Sequence, residues 1–261
     1  DYAAPWRDSG YRFTGDIAIS LLADFDSAWR KGHAWTCGAD ETRTIDQCIA
    51  PNPRPTYTVR RATLPAETCR PMLVATRQTD ADPRSNRIDN TQDQAFLAGF
   101  SSASRLIRVR TPNLNDDAAK SALVAAITRG VRVEVMLSKG FNDISENLPG
   151  QGGDNMMNVR MLYDALSAAG VTAPCDKLKI RWYSRNGTHP VLDNGLYASH
   201  AKYTSIDEAV AIVGTANMDT QSWNNSREVN VVVDDPALAQ AWDAQLFVAD
   251  FDRGVPVAQC P

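Results

Sequence analysis

The chain of 261 residues contains no run of eighteen or more apolar residues, which leaves no candidate for a membrane-spanning helix in the sequence. It also lacks a basic excess. Twenty-seven Lys and Arg stand against 31 Asp and Glu, a formal net charge of -4 and a pI near 5.4. Bulk electrostatics of that sign do not prepare a surface to hold a phosphate polymer, so nucleic acid is disfavoured as a substrate unless a local basic cleft exists. Histidine is scarce, at three residues. The five cysteines, Cys37, Cys48, Cys69, Cys175 and Cys260, include no close pair matched by a second close pair, so metal-ligand spacing is missing too. Disulfides fit this pattern better than metal ligation; reduced, buried thiols are the alternative. Cys37 and Cys48 flank a polar loop they can close, a staple worth roughly 2–4 kcal/mol in an oxidising compartment. An odd count leaves one cysteine free or bonded to another chain. The first residue is Asp1, with no charged-then-apolar leader before it. That is the expectation if a leader or a larger upstream piece has been removed, and a chosen cloning boundary gives the same picture. Two sequons, Asn186-Gly187-Thr188 and Asn224-Asn225-Ser226, fit secretion weakly, since short sequons arise by chance.

What is present reads as an ordinary globular chain: 43% apolar and 22% charged residues, enough for a sizeable core in one domain or two closely joined ones. From Ile17 to Trp29, apolar residues at spacings of three to five predict one face of a helix, with Gly32 as its stop. Residues 36–95 turn rich in Pro, Thr, Arg and Asp and predict a long excursion with short strands such as Thr56–Arg60 and Met72–Thr76. A regular pattern follows. Leu106–Arg110 predicts a strand, Asp117–Thr128 a helix burying Leu123, Val124 and Ile127, and Val131–Leu137 a strand with its odd-numbered positions inward. Phe141–Asn158 is a loop by composition, in which Met156 and Met157 either contact lipid or start the next helix. A helix over Met161–Ala168 and a strand over Leu178–Tyr183 come next. Strands at Ala201–Ile206, Ala209–Gly214 and Glu228–Val233 then lead to a closing helix capped by Asp235 and Pro236, with Leu238, Trp242 and Leu246 on its buried side. No internal repeat is present. The expected fold class is α/β, a mixed β-sheet layered between helices.

The segment that carries chemistry is SHAKYTSIDEAVAIVGTANMDTQSWNNSREVNVVV, residues 199–233. On an alternating strand His200 and Lys202 point to the same face. Cleaving a phosphodiester needs a nucleophile, a proton donor for a poor leaving alkoxide, and fixed donors around the phosphoryl oxygens. Imidazole serves as nucleophile or acid near neutral pH, the Lys202 ammonium neutralises one phosphate oxygen, and Asn217 donates an amide hydrogen bond to another. His33, after the helix stop, and His189, before a proline, read as loop histidines.

The pattern H-x-K-x4-D followed by G-T-x-N, in His200, Lys202, Asp207, Gly214, Thr215 and Asn217, resembles the signature of the phospholipase D superfamily. A bare H-x-K is weak; the extended match is specific. The opening Trp6-Arg7-Asp8, Gly15, Phe25 and Trp29 is similar to the stretch that follows the first motif in two-motif secreted bacterial phospholipases D, and Arg105–Ser138, with Thr111-Pro112-Asn113, resembles the entry to their second half. The resemblance implies a phospholipase D-like α/β fold in which residues 1–35 are the tail of a first half, 36–95 a linker or excursion, and 96–261 the second catalytic half. It implies two motifs in one active site. One histidine attacks phosphorus to form a phosphohistidine; the other protonates the leaving alcohol and later activates water. By the same correspondence His200 is the general acid, then base, and the nucleophile comes from a motif this chain does not contain. Asp8, seven residues before Gly15, corresponds to the acid that pairs with His200, and Glu228, twenty-eight positions beyond His200, to an acid that orients the histidine of the other motif. A solvated N-terminal acid and a plain strand-start acid are the respective alternatives. Asp207, grouped with the catalytic residues by the motif, is structural in the family. Thr215 and Asn217 join Lys202 as substrate-binding residues, and Trp223 lines an acyl or headgroup pocket or belongs to the core.

These residues give the expectation of a secreted phospholipase D-type hydrolase, with transphosphatidylation a further capacity. It needs no metal or organic cofactor. Its partners are an N-terminal half or separate chain supplying the first H-x-K motif, with a disulfide link conceivable, and a phospholipid substrate at a membrane surface. Two other readings compete: a single-motif, nuclease-type homodimer joining its His200 strands across a twofold axis, and a non-catalytic fragment or binding module. The first suits short basic chains rather than a long acidic one.

Overall fold

Alternation of apolar and polar residues makes Leu106–Arg110 (β2) and Arg132–Leu137 (β3) neighbouring parallel strands, with Ile107 beside Val133 and Val109 beside Val135. The structure, a computed structural model, is described for residues 6–36, 69–77, 90–192 and 197–257, with the side chains of 30–36 left aside. Its residues divide into two compact units, Asp1–Gly10 with Arg70–Pro261, and Tyr11–Cys69.

The larger unit is an eight-stranded mixed sheet. Besides β2 and β3 it contains Met72–Arg77 (β1), Leu178–Trp182 (β4), Tyr203–Ile206 (β5), Val210–Gly214 (β6), Glu228–Asp234 (β7) and Val255–Pro256 (β8). The order across the sheet is β1-β7-β6-β5-β2-β3-β4-β8. Strands β2, β3 and β4 are parallel and every other pairing is antiparallel. The α/β expectation therefore holds.

Helices Thr91–Ser102 (α2), Asp117–Thr128 (α3) and Asn155–Ala168 (α5) cover one face. Phe96, Phe100, Leu123, Ile127, Leu162 and Leu166 pack there on Ile107, Val109, Val133, Val135 and Ile206. Each of these helices is capped by a side chain: Asn90, Asp116 and Asp154 accept from the backbone N–H groups of Asp93, Ala119 and Met157. Helix α3 ends at Arg129, and Gly130, at φ +99°, supplies the left-handed residue that turns the chain into β3.

The other face carries the C-terminal helix. Pro236–Trp242 (α6) continues through a π-helical stretch, Asp243–Val248, into Ala249–Arg253 (α7). Its cap is as expected, with Asp235 accepting from Leu238 N at 2.8 Å. Its buried face is not. Ala239, Asp243, Phe247 and Asp250 point inward, while Leu238, Trp242 and Leu246 lie half-buried on the flank. The reason is electrostatic. Arg108 and Arg110 of β2 face this helix, and Asp243 and Asp250 meet them at 2.8 Å each.

Other boundaries moved as well. The smaller unit holds Asp16–Thr36 (α1), which runs past Gly32; a mid-helix glycine costs about 1 kcal/mol relative to alanine, too little to end a helix of this length. The Phe141–Asn158 loop contains a short helix, Asp143–Glu146 (α4), and α5 begins inside it at Asn155. The strand expected at Met72–Thr76 is β1. The strand at Thr56–Arg60 and the Cys37–Cys48 closure lie outside the described residues. Asn224 of the second sequon is buried, its amide donating to Asp116 at 3.3 Å, so it is closed to glycan attachment in the fold.

Candidate active site

Antiparallel pairing of β2 with β5, β5 with β6 and β6 with β7 gathers four chain segments at one end of the sheet. They are residues 111–115 after β2, 198–202 leading into β5, 215–219 after β6, and Glu228 opening β7. Leu114 bridges Met218, and the Thr111 hydroxyl accepts from Met218 N at 3.0 Å, so the loops after β2 and β6 lie side by side. Gly214 permits this: a β-carbon there would stand 2.3 Å from Val229 O and 2.6 Å from Asn230 Cα. Glycine in the G-T-x-N sequence is thus required by close backbone approach.

His200 and Lys202 project together. The Lys202 ammonium lies 2.8 Å from both ring nitrogens of His200 and donates to the His200 carbonyl at 2.6 Å. The imidazole Nδ1 sits 2.9 Å from Asp8 Oδ2. Rings hold it from two sides, Trp6 at a centroid distance of 4.0 Å and Phe141 at 5.7 Å. Asp8 reaches this point because the N-terminal segment joins the strand. Arg7 N donates to Ala198 O at 2.8 Å, and His200 N donates to Arg7 O at 2.9 Å. The Arg7 guanidinium is fastened to Asp250, which also pairs with buried Arg110 and with Arg253. Arg110 in turn donates to Ser199 Oγ at 3.0 Å, next to the histidine.

On the opposite side of Lys202 stand the β6 and β7 groups. The Thr215 hydroxyl donates to Glu228, accepts from Val229 N at 3.0 Å, and so is occupied. Asn217 is braced through its backbone: its N–H donates to Ser222 Oγ at 3.1 Å and its carbonyl accepts from the Trp223 indole at 3.1 Å. Its side-chain nitrogen donates to Asp219 at 2.7 Å. An amide nitrogen carries two hydrogens, so one remains for a ligand oxygen. Its Oδ1 is buried with no partner.

Burial sets the charges. It pushes the Glu228 carboxyl up to about 7; Thr215, Ser222 and Lys202 pull against it and Asp219 adds to it. The same burial brings Lys202 down to about 8, with Asp8, Glu228 and Asp219 opposing. Asp8 is raised by partial burial, but the His200 hydrogen bond and the Lys202 charge outweigh this and hold it below the usual carboxylate value. If the Lys202 ammonium binds an anion, binding weakens as it deprotonates. We expect kcat/KM on a phosphodiester to fall above about pH 8, and Lys202→Arg, which stays charged, to move that limb upward in whatever activity remains. A wild-type profile flat from pH 7 to 10 contradicts this.

Two of the expected site residues are elsewhere. Asp207 occupies the turn at the far end of β5, about five strand residues or ~16 Å from Lys202. There its carboxylate accepts from the backbone N–H groups of Ser104, Arg105 and Leu106 at 2.7–2.9 Å, clamping the start of β2 to the β5–β6 turn. Trp223 is 1% exposed in the core against Phe96, so it lines no pocket; its indole N–H steadies Asn217 instead. His189 lies in a loop, its carbonyl accepting from Ser184.

Sequence reasoning missed Asp219, Glu146 and Asn115. Asn115 donates to Glu146 at 2.6 Å and accepts from Thr220 N at 2.8 Å, and burial pushes Glu146 up to about 7. Asn113 beside them is 1% exposed with neither side-chain atom in a hydrogen bond, although its amide lies close enough to Glu146 to favour the charged carboxylate. Nothing in residue spacing singles out Glu146, which reaches the site on the short helix α4. Asp219 was legible in principle, two residues beyond Asn217. Among the described residues no group of three or more His, Cys, Asp or Glu side chains is arranged to hold a metal ion.

The family model described as "Cardiolipin synthase, PLD-like domain" matches residues 96–248, from α2 through the C-terminal helix. A cardiolipin synthase A of Pseudomonas entomophila (strain L48) is 23% identical over 97% of this chain and 42% of its own length. One from Pseudomonas putida is 23% identical over 96% and 41%. The chain thus spans about two-fifths of the length of these relatives. Among solved structures, phosphatidylserine synthase of Haemophilus influenzae Rd KW20 superposes with a TM-score of 0.52 at 14% identity, over 82% of this chain and 45% of that one, a likeness of fold. With more than half the chain covered by the family model and the H-x-K and G-T-x-N residues inside the matched stretch, this chain belongs to the phospholipase D superfamily, as a PLD-like domain.

Proposed function

We propose that the chain is the second half of a two-motif phosphodiesterase acting on phospholipids, with His200 as general acid and then base. The single observation that carries this reading is the joint placement of His200, Lys202 and Asp8: an imidazole held by a carboxylate on one nitrogen and set beside a buried ammonium. In the first step a histidine of the other motif attacks phosphorus, the P–O bond to the alcohol breaks, and His200 gives its proton to the departing oxygen. In the second, neutral His200 takes a proton from water as that oxygen attacks phosphorus. The P–N bond then breaks and the phosphatidic product leaves. An alcohol in place of water gives transfer instead of hydrolysis. Lys202 neutralises phosphoryl charge and Asn217 donates a hydrogen bond to it, each joined by a counterpart from the other half. Asp8 keeps Nδ1 protonated and so presents Nε2 to the reaction, and Glu228 stands ready to do the same for the incoming histidine.

The relatives' name, that of a phospholipid synthase, supports a phospholipid as the substrate class. Their greater length supports a missing first half elsewhere in the protein. A cysteine pattern suited to disulfides rather than to metal supports an oxidising compartment, and secretion is part of this proposal. Release of headgroup from phosphatidylglycerol vesicles by the full-length protein tests the assignment. Headgroup release that ceases in His200→Asn is the expected result. Salt-sensitive cleavage of DNA by a homodimer of this chain, with vesicles untouched, sinks it in favour of the nuclease-type dimer, and no activity on either substrate leaves a binding module.

A further inference from the structure

Asp219, 2% exposed, commits its carboxylate to two N–H groups: Asn217 Nδ2 donates to Oδ2 and Ser222 N to Oδ1, each at 2.7 Å. Its charge also reaches Lys202 and Glu228. A negative charge in that place repels the anion that Lys202 attracts, so by Coulomb's law alone it harms a phosphate site. The hydrogen bond to Asn217 supplies something that offsets the repulsion. An asparagine amide has nearly the same shape with its oxygen and nitrogen exchanged, and a half-turn about the Cβ–Cγ bond decides whether a donor or an acceptor faces a ligand. The backbone of Asn217 is fixed by Ser222 Oγ and the Trp223 indole, which hold either form equally well. Its Oδ1 is buried without a partner, so no donor on that side chooses between them. The choice falls to Asp219. A carboxylate only accepts, so it draws the nitrogen toward itself and leaves the second amide hydrogen for a phosphoryl oxygen. In the exchanged form Oδ1 would face the carboxylate and the phosphate, and be repelled by both.

We propose that Asp219 is the positioning residue that fixes Asn217 as a hydrogen-bond donor in the phosphate site. The proposal rests on the phosphodiester reading above and adds how one of its phosphate donors is kept in that role. Asp219 also closes the turn that follows, since Ser222 N donates to its carboxylate and Trp223 N to its carbonyl at 3.0 Å. A plain cap is therefore the competing account. The two differ in whether the effect of Asp219 on phosphate passes through Asn217.

Binding of inorganic phosphate to the full-length protein, titrated calorimetrically at about pH 6, provides the test, because Lys202, brought down to about 8, keeps its proton there. Asp219→Asn preserves the shape and a capping oxygen, but its amide nitrogen faces Asn217 and favours the exchanged form. It is expected to weaken phosphate binding about ten- to hundredfold, the worth of one hydrogen bond to a charged group, although removal of a negative charge by itself would tighten it. Asp219→Ser keeps a capping oxygen and drops the one that meets Asn217, which frees the amide to take both forms; a smaller loss is expected. In an Asn217→Ala background the same two substitutions should add no further loss beyond about twofold. Melting midpoints should stay within a few degrees of wild type, because Asn and Ser cap about as well as Asp. Unchanged or tighter binding in Asp219→Asn, a comparable further loss in the Asn217→Ala background, collapse of both Asp219 variants, or no phosphate binding by the wild-type protein overturns the proposal. Failure of the phosphodiesterase reading shows separately, as phosphate binding that follows Asp219 while hydrolysis of bis(p-nitrophenyl) phosphate does not depend on His200.

Discussion

Replacing His200 with asparagine is expected to reduce phosphodiester turnover by roughly 10²–10⁴ or more, the usual contribution of a positioned acid and base, while leaving the fold in place. The site explains both halves of that expectation. The ring is half-buried at the edge of the sheet, held by Asp8 on Nδ1 and packed near Trp6 and Phe141. Losing the ring contacts costs about 1 kcal/mol, so the melting midpoint should move by no more than a few degrees. Asparagine restores neither proton donor nor acceptor of the required pKa. Thermal melts and headgroup-release kinetics on the same preparations check the result. Near-normal turnover by the variant removes His200 from the chemistry, and a collapsed fold makes it a structural residue.

The largest stability effect is expected at Asp250, far from phosphate in role yet joined to the site by a chain of contacts. Arg110 is 2% exposed and meets Asp250 at 2.8 Å, while Arg7 and Arg253 reach the same carboxylate from the surface. Burial raises the Asp250 carboxyl, but Arg110, Arg253 and Arg7 together hold it below its usual value. Its contribution is therefore present above about pH 4 and lost as pH falls through the lowered folded value. Asp250→Ala leaves the Arg110 guanidinium buried and uncompensated, which costs on the order of 3–5 kcal/mol and lowers the melting midpoint by roughly 10 °C in a unit of this size. Activity should fall as well, because Arg7 loses the anchor that aligns Asp8 with the imidazole. Removing both charges, as in Arg110→Met with Asp250→Leu, should recover much of the stability and little of the activity. A midpoint shift under about 2 °C in Asp250→Ala shows that the charge cluster is not a mainstay of the fold.

Elements whose residues face a single environment were readable from the chain alone. Leu106–Arg110 and Asp117–Thr128 end where periodicity says they should, because the positions they turn to the helix-covered face of the sheet, Ile107 and Val109, Leu123 and Ile127, are apolar and the helix carries its own cap. The C-terminal helix was misread by one position because its inward stripe contains Asp243 and Asp250. Hydropathy counts those as exposed, and only the arginines of β2 reverse that sign. The same limitation hid part of the site. His200, Lys202 and Asn217 lie within one short segment whose spacing is diagnostic, and Asp8 was found through the similarity of its surroundings. Trp6 and Phe141 reach the imidazole from remote parts of the chain with no pattern of their own. Trp223 had two readings from the sequence, a pocket wall or a core residue, and the short π-helical stretch Gln221–Asn225 carries its ring into the core.

The backbone of Arg7 is laced into the strand bearing His200 while its side chain is tied to a different helix, so the location of residue 8 does not depend on what its own side chain does. Position 8 can therefore be varied in charge, length or acidity with the scaffold held constant. A series from aspartate to asparagine to glutamate would read out how strongly an imidazole's basicity governs this reaction, without the displacement that usually confounds such comparisons.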